Sequence, residues 1–586
     1  MNEDSHEPRP AAERRGKKAT RLSWLLGGLV LAGIFATVFY VGFLGRRPVE
    51  LELAPARIAV LPFGAPARPA DAWLGWGLAG IVSETLQQTS GLEVLPNERL
   101  RQLLMQRGID LAAGGSREQA RGLAIAAGAG LVVDGDFRRR EDGLYDLHFS
   151  LVGAGGVVIK QAALTAGEPL ELAGKLVESL ASGMAPDLEA TKLTAVFGSD
   201  DYLTRLYGEG LQQLAAAGPA DRKAAAARPH FEILLRSDPT FTRAKARLVD
   251  CRRDLGELVP ARRLAEQLLQ ESLPRGELDL QISTFRSLGL LDALEGDEVS
   301  AAEQFRLGHR AALARHDRAG ELLLLGDLVR LALARGDRNK AEELLVEMVQ
   351  VQKAQQDRLG EADSLLQIGS LYLGGGDLEG AAKVLEESQQ LVAGAGDDWG
   401  VQRISASLGD IAWRRGEVAA AADHWEKALE FYRRQKDNQR ILMMTRNLGE
   451  AQIRAGRYAQ AEKLVVELRE LAGQMGDRTS EGEACVSQAW LQLRLGFPFQ
   501  AREPLDCALA RDTNLADRKR LRQVIAWLAY EQGEYELALR SWYEIKLGSG
   551  AAWSAEEQAF LEAFTQARAT GHRAPLPGEQ DYRSPP

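Results

Sequence analysis

Between residues 200 and 570 apolar residues recur at helical spacing, and the helical stretches come in pairs. In the first stretch of a pair, Leu or Ile precedes a small residue, as in Leu288-Gly289, Ile368-Gly369, Leu408-Gly409 and Leu448-Gly449. The second stretch carries a larger apolar group: Phe305, Leu385, Trp425, Val465, Leu505 and Trp542. A glycine separates the two, where the backbone must turn sharply between antiparallel helices. Gly256, Gly296, Gly336, Gly376, Gly416, Gly456 and Gly496 lie 40 residues apart, and Gly533 follows after 37. Five residues beyond each stands an alanine, from Ala261 to Ala501 and then Ala538, small enough for two helices to approach closely. A fixed period of this length predicts a mostly α fold, an α-solenoid of about eight repeats rather than one compact core. Asp317, Asp357, Asp397, Asp437 and Asp477 form a second ladder between repeats, placed to cap or turn the chain into the next helix.

The ends of the array are less regular. Residues 185–201 read as a boundary, Tyr202–Leu214 as a helix and Gly218-Pro219 as its break. This makes an irregular helical pair that caps the first full repeat. Ser554–Ala569 reads as a terminal capping helix, and the polar, proline-rich stretch 571–586 as a disordered tail.

Ahead of the array, residues 50–190 follow a different pattern. Ile58–Phe63 is a short buried strand, and Ala72–Thr89 has helical periodicity. Leu92–Leu95 is a second strand, Asn97 caps a helix to Arg107, and another helix covers Arg117–Ala127. Leu131–Phe137, Tyr145–Val152 and Val157–Leu164 read as strands joined by hairpins, before a helix from Leu170 to Met184. This order predicts a small α/β domain, a mixed sheet with helices packed on it.

The first 44 residues change the picture. Leu22–Leu44 holds no charged residue over 23 positions, which is long enough to span a bilayer as a helix. The run ends in Gly45-Arg46-Arg47-Pro48 rather than a small-x-small cleavage site, so the reading is a signal anchor rather than a cleaved signal peptide. Residues 1–21 carry Arg9, Arg14, Arg15, Lys17, Lys18 and Arg21, against Arg46, Arg47 and Arg57 beyond the span. That imbalance places the N-terminus in the cytoplasm and the bulk across the membrane, in the periplasm of a bacterium with two membranes.

Composition excludes more than it assigns. A net charge of −10 leaves no basic footprint for nucleic acid. The seven histidines are scattered without His-x-x-x-His spacing, so no metal site is expected, and no cofactor. No nucleophile elbow or phosphate-binding loop is present, and an enzyme is not expected. Gly75-Trp76-Gly77-Leu78-Ala79-Gly80 fits a dinucleotide fingerprint, but eleven residues, with Pro66 and Pro69, part it from the strand that the pyrophosphate turn requires. Cys485 and Cys507 fall on the two helices of one repeat. A disulfide and a pair of buried apolar thiols are both open readings.

The Gly-x-Tyr-x-x-Ala turns at Gly456-Arg457-Tyr458-Ala459-Gln460-Ala461 and Gly533-Glu534-Tyr535-Glu536-Leu537-Ala538 resemble tetratricopeptide (TPR) repeats. Asp238-Pro239-Thr240-Phe241 resembles the family's inter-repeat junction. The period of 40 exceeds the family's usual 34, and HEAT repeats are the competing reading. Ile58–Phe63, Gly77–Leu86, Gly91–Leu95 and Ala127–Phe137 resemble the TolB N-terminal-like domain. That pairing is similar to membrane-anchored bacterial regulators with a cytoplasmic winged-helix, kinase or cyclase output. About 21 residues precede the span, too few for such a module, so the output would be lost or supplied by a partner. The resemblance implies protein partners held in a repeat groove. It places Arg414, Arg454 and Arg494, each two residues before a turn glycine, on the groove side, where a row of planar donors suits an acidic or C-terminal peptide. Solvated surface arginines are the other reading. The expected function is therefore a membrane-anchored interaction scaffold or sensor arm. The alternative is a transmembrane signalling component acting through helix pairing at Gly28, Ala32 and Ala36.

Overall fold

The computed structural model describes residues 57–64, 68–89, 92–111, 113–184, 191–511, 518–549 and 554–577. The basic N-terminus and the span read at 22–44 lie outside the described residues. Among the described residues no helix is long and apolar enough to cross a membrane.

A five-stranded sheet comes first, in the order β2-β1-β3-β4-β5. β1 (Arg57–Val60) runs parallel to β2 (Glu93–Val94) and to β3 (Leu131–Arg139). β3, β4 (Tyr145–Gly153) and β5 (Val158–Ala166) form an antiparallel meander. β1 is apolar from Ile58 onward because both its faces are covered. Ile58 and Val60 join the core beneath α1 (Trp76–Gln87) and α4 (Pro169–Met184). Ala59 and Leu61 join the core beneath α2 (Asn97–Gln106) and α3 (Arg117–Ala126).

The helix expected from Ala72 begins as a 3-10 turn, Pro69–Leu74, and becomes α-helical only at Trp76. The cap for that late start comes from far along the chain. Gln212 Oε1 accepts from the amides of Trp76 and Gly77 at 2.8 and 3.2 Å, supplying two of the orphan donors of the first turn.

A short α5 (Leu193–Phe197) leads into helical hairpins. The first is α6 (Asp201–Ala215) with α7 (Ala220–Ser237). Then come α8 (Thr242–Asp254) with α9 (Leu258–Ser272), α10 (Leu278–Leu294) with α11 (Glu298–Arg315), and α12 (Arg318–Ala334) with α13 (Arg338–Ala354). α14 (Arg358–Gly375) pairs with α15 (Leu378–Gly394), α16 (Asp398–Arg414) with α17 (Val418–Gln435), and α18 (Asn438–Arg454) with α19 (Tyr458–Met475). The last two are α20 (Arg478–Arg494) with α21 (Arg502–Ala510), and α22 (Arg518–Glu531) with α23 (Tyr535–Ser549). α24 (Ala555–Thr570) follows. Each helix packs on the next along the chain.

The period has a physical cause at up to three places in a hairpin. All eight turn glycines have φ between +73° and +87°. A Cβ on any of them would meet nothing within 4 Å, so the demand is for left-handed backbone and not for space. The alanine five residues on is wholly buried in every hairpin. The small residue seven before the turn is a matter of space. A Cβ on Gly289 would lie 2.5 Å from Phe305, and one on Gly409 would lie 2.7 Å from Trp425.

The aspartate ladder caps as expected at four of its five rungs. Asp317, Asp357, Asp437 and Asp477 accept from the backbone three residues on. Asp397 corrects the expectation: it stands at the N-cap of α16 but makes no side-chain cap bond, because its carboxylate is engaged elsewhere. The tail is also corrected in part. Residues 571–577 dock on the array, with Ala574 and Leu576 buried and Tyr530 Oη exchanging hydrogen bonds with both backbone groups of Ala574. Residues 578–586 lie outside the described residues.

Cys485 and Cys507 are paired as a disulfide between α20 and α21, with Cα atoms 6.1 Å apart. This settles the pairing that the sequence left open. Cys251 is a free, buried thiol.

A chamber between the sheet domain and the inner helices

The sheet domain folds back onto the first helices of the hairpins. Gly77 and Gly80, two glycines of the fingerprint-like run, belong to this docking. A Cβ on Gly77 would lie 2.2 Å from Gly208 O, and one on Gly80 would lie 2.6 Å from Leu211. They let α1 lie close against α6. Further along, Leu100, Leu103 and Leu104 of α2 share one apolar core with Leu359, Ala362 and Leu366 of α14.

Charged groups lock this contact. Arg107, at the end of α2, places Nε 2.9 Å from Asp397 Oδ1 and closes a second bond from Nη2. The two side chains are only 8% and 2% exposed. The same guanidinium lies 4.9 Å from the centre of the Trp399 ring. This is why Asp397 does not cap its own helix. Glu84 on α1 takes Arg243 and Arg247 of α8 and the Tyr207 hydroxyl. Asp279 on α10 accepts from Gln88 and Arg243 and forms an ion pair with Arg315. Burial raises the pKa of Glu93 and of Asp357, which sit where β1, the turn after α3 and α14 meet.

Between α1 and α2 on one side and α8, α10, α12 and α14 on the other lies a cavity of about 910 Å³. Nine arginines and a lysine line it, beside eight carboxylates. Arg286 of α10 and Arg330 of α12 both close on Asp327, whose side chain is fully buried. Removal from water holds Arg286 below its ordinary pKa, and burial together with the neighbouring Arg286 charge does the same to Arg330. Arg99 of α2 and Arg403 of α16 both close on Asp363 of α14. Burial pushes the Asp363 carboxyl up, but Arg403 and Arg99 outweigh it and hold the carboxyl low. In each of these two clusters two guanidinium groups share one carboxylate, while elsewhere in the wall Arg253 pairs with both Asp250 and Asp254.

The arginines chosen from the sequence behave otherwise. Arg414 is exposed and donates to Leu373 O at 2.9 Å. Arg454 is exposed with its guanidinium 4.7 Å from the Trp413 ring. Arg494 is drawn inward, stacked over Trp490 and Trp527 and paired with Glu556 of the terminal helix. The three occupy matching places in successive repeats, but each has its own partner within the chain.

The chamber residues were missed because only one column of the repeat was read. Counting back from the turn glycines, Arg243, Asp363 and Arg403 stand thirteen residues before them. Arg247 and Asp327 stand nine before, and Asp250 and Arg330 six before. These offsets trace one face of each first helix. Charged residues concentrated on that face between 243 and 403 were a usable signal.

No family model matches the chain, and no curated protein matches it. Solved structures do. One is a signal-transduction ATPase with a tetratricopeptide repeat sensor from Pyrococcus horikoshii, at 14% identity and TM-score 0.40. The match covers 54% of this chain and 51%, about half, of that one. A tetratricopeptide repeat protein from Parabacteroides merdae matches at 15% identity and TM-score 0.32, over 49% of this chain and 99% of its own. The pilF protein of Pseudomonas aeruginosa matches at 17% identity and TM-score 0.33, over 42% and 98%. At these scores the architecture rests on the hairpins themselves.

Proposed function

We propose that the protein is a non-catalytic interaction scaffold that receives an acidic segment of a partner polypeptide along its inner helices. The observation that carries this reading is a pair of shared carboxylates at the cavity wall, where Arg286 and Arg330 share Asp327 while Arg99 and Arg403 share Asp363. An extended acidic chain supplies further carboxylates in a geometry that guanidinium forks bind well. The inner face beyond the chamber continues past the exposed Arg414, Met443 and Arg454, which offers the segment a path out. In this reading the anchor at 22–44 holds the scaffold to a bacterial inner membrane with the repeats in the periplasm, a topology that a reporter fused to the C-terminus tests.

The binding test uses a fluorescein-labelled octaglutamate peptide and anisotropy at low salt. The expected result is saturable binding, weakened about tenfold or more in Arg286→Ala/Arg330→Ala, since charge-assisted hydrogen bonds are worth ~1.5–3 kcal/mol each. Arg414→Ala/Arg454→Ala is expected to weaken it less. No binding by the parent protein, or equal binding by the chamber variant, would reject the chamber as the receiving site.

A further inference from the structure

In the forty-residue frame a cross-repeat ion pair recurs at two places on the outer helices, and at a third place its carboxylate stands without its cation. Glu347, Glu387 and Glu467 each stand eleven residues after the turn glycine of their hairpin. Seventeen residues after the preceding turn glycine stand Leu313, Lys353 and Arg433, respectively. Where that residue is basic, it closes on the glutamate: Lys353 Nζ lies 3.4 Å from Glu387, and Arg433 lies 2.6 Å from Glu467. Lys353 also reaches Glu361 of the following first helix, at 3.3 Å.

The same pair of carboxylates is present one repeat earlier. Glu321 is the counterpart of Glu361, and Glu347 the counterpart of Glu387. The cation is not, because Leu313 stands where lysine would. One helical turn before Leu313 on α11 stands His309. His309, Glu321 and Glu347 come from three successive helices, and each offers a donor atom within 4.8 Å of the other two. Glu321 is buried, and among the described residues its one ion pair is with Arg318 on its own helix. The Nε2 of His309 is buried without a hydrogen-bond partner. Two carboxylates whose repeat counterparts are bridged by an ammonium here face an imidazole instead.

We propose that His309, Glu321 and Glu347 bind one divalent transition-metal cation of the zinc class, which takes the place that Lys353 fills in the next repeat. One imidazole and two carboxylates are a mixed nitrogen and oxygen donor set suited to zinc, and they leave a coordination position for water. Bound there, the ion ties α11, α12 and α13 together, and binding to the folded state alone raises stability.

The test uses the purified full chain, stripped with chelator and titrated with ZnCl2 by calorimetry, with thermal unfolding read at each zinc concentration. One zinc per chain and a melting temperature that rises with zinc are expected. His309→Ala and Glu347→Gln should each weaken binding by about tenfold or more. Leu313→Lys places an ammonium where Lys353 stands in the next repeat. It should abolish zinc binding while raising the zinc-free melting temperature, an outcome that loss of folding cannot mimic. No zinc binding by the parent chain, or binding that survives both His309→Ala and Glu347→Gln, overturns the proposal.

Discussion

Arg107→Ala should loosen the sheet domain from the repeats without unfolding either. The substitution leaves Asp397 as a carboxylate 2% exposed with its partner gone. Removing one member of a buried ion pair costs about 3–5 kcal/mol. Part of that returns, because Asp397 stands at the N-cap of α16 and can swing onto the backbone amides it now ignores. A cap bond is worth about 1 kcal/mol, so the net loss should be about 2–4 kcal/mol. Asp397→Asn keeps a good capping residue and removes the charge. The double variant should therefore cost less than the two singles together, with a coupling of ~1–3 kcal/mol. Native-state hydrogen exchange is the suitable assay, since repeat arrays need not unfold in one step. Amides of α2 should lose protection, while those of α20 and α22 keep theirs. Unchanged protection in α2, or single effects that simply add, would refute the account of Arg107 and Asp397 as a latch.

Two glycines at the same place in the frame should respond with opposite sign. Gly449→Ala should stabilise by about 0.5–1 kcal/mol, since a Cβ there meets Val465 at an ordinary 3.7 Å and the helix gains propensity. Gly289→Ala should destabilise by roughly 1–2 kcal/mol in urea unfolding, because overpacking against Phe305 outweighs that gain. Burial raises the pKa of Asp357 in the folded state, so this residue's contribution is greatest at low pH and is lost as pH rises from its ordinary value through the folded one. Asp357→Asn keeps the cap and should flatten that part of the stability–pH curve measured between pH 3 and 7. Arg494→Ala removes the cation between Trp490, Trp527 and Glu556, and should raise proteolytic nicking between residues 550 and 577 before any other site opens.

The repeat and the sheet were legible because they rest on local rules. Turn glycines, buried alanines and capping aspartates act within a few residues, and the strands of the sheet announce themselves by alternation and hairpin breaks. The placement of the sheet domain was not legible. It depends on contacts such as Gln212 with Trp76 and Arg107 with Asp397, whose partners lie more than one hundred residues apart and follow no period. The departure of Asp397 from its ladder is the local trace of that contact, visible only once the partner is known. The groove arginines were chosen from a column that was correctly periodic, but periodicity carries no information about what each guanidinium meets. Arg494 shows this, since its place in the column matches Arg454 while its surroundings are set by the terminal helix.

The docking of the sheet domain also acts as a ruler. Its grips on the array fall at Arg243, Asp279, Gln355, Asp363 and Asp397, which belong to consecutive units or to the turns between them. Adding or removing a single unit inside that interval would carry the later grips one step along the stack, out of reach of a rigid sheet that cannot stretch to follow. Units beyond Arg454 bear no such constraint. Gain and loss of repeats in this lineage should therefore be confined to the carboxyl-terminal half, with the amino-terminal count held fixed by the gauge that lies across it.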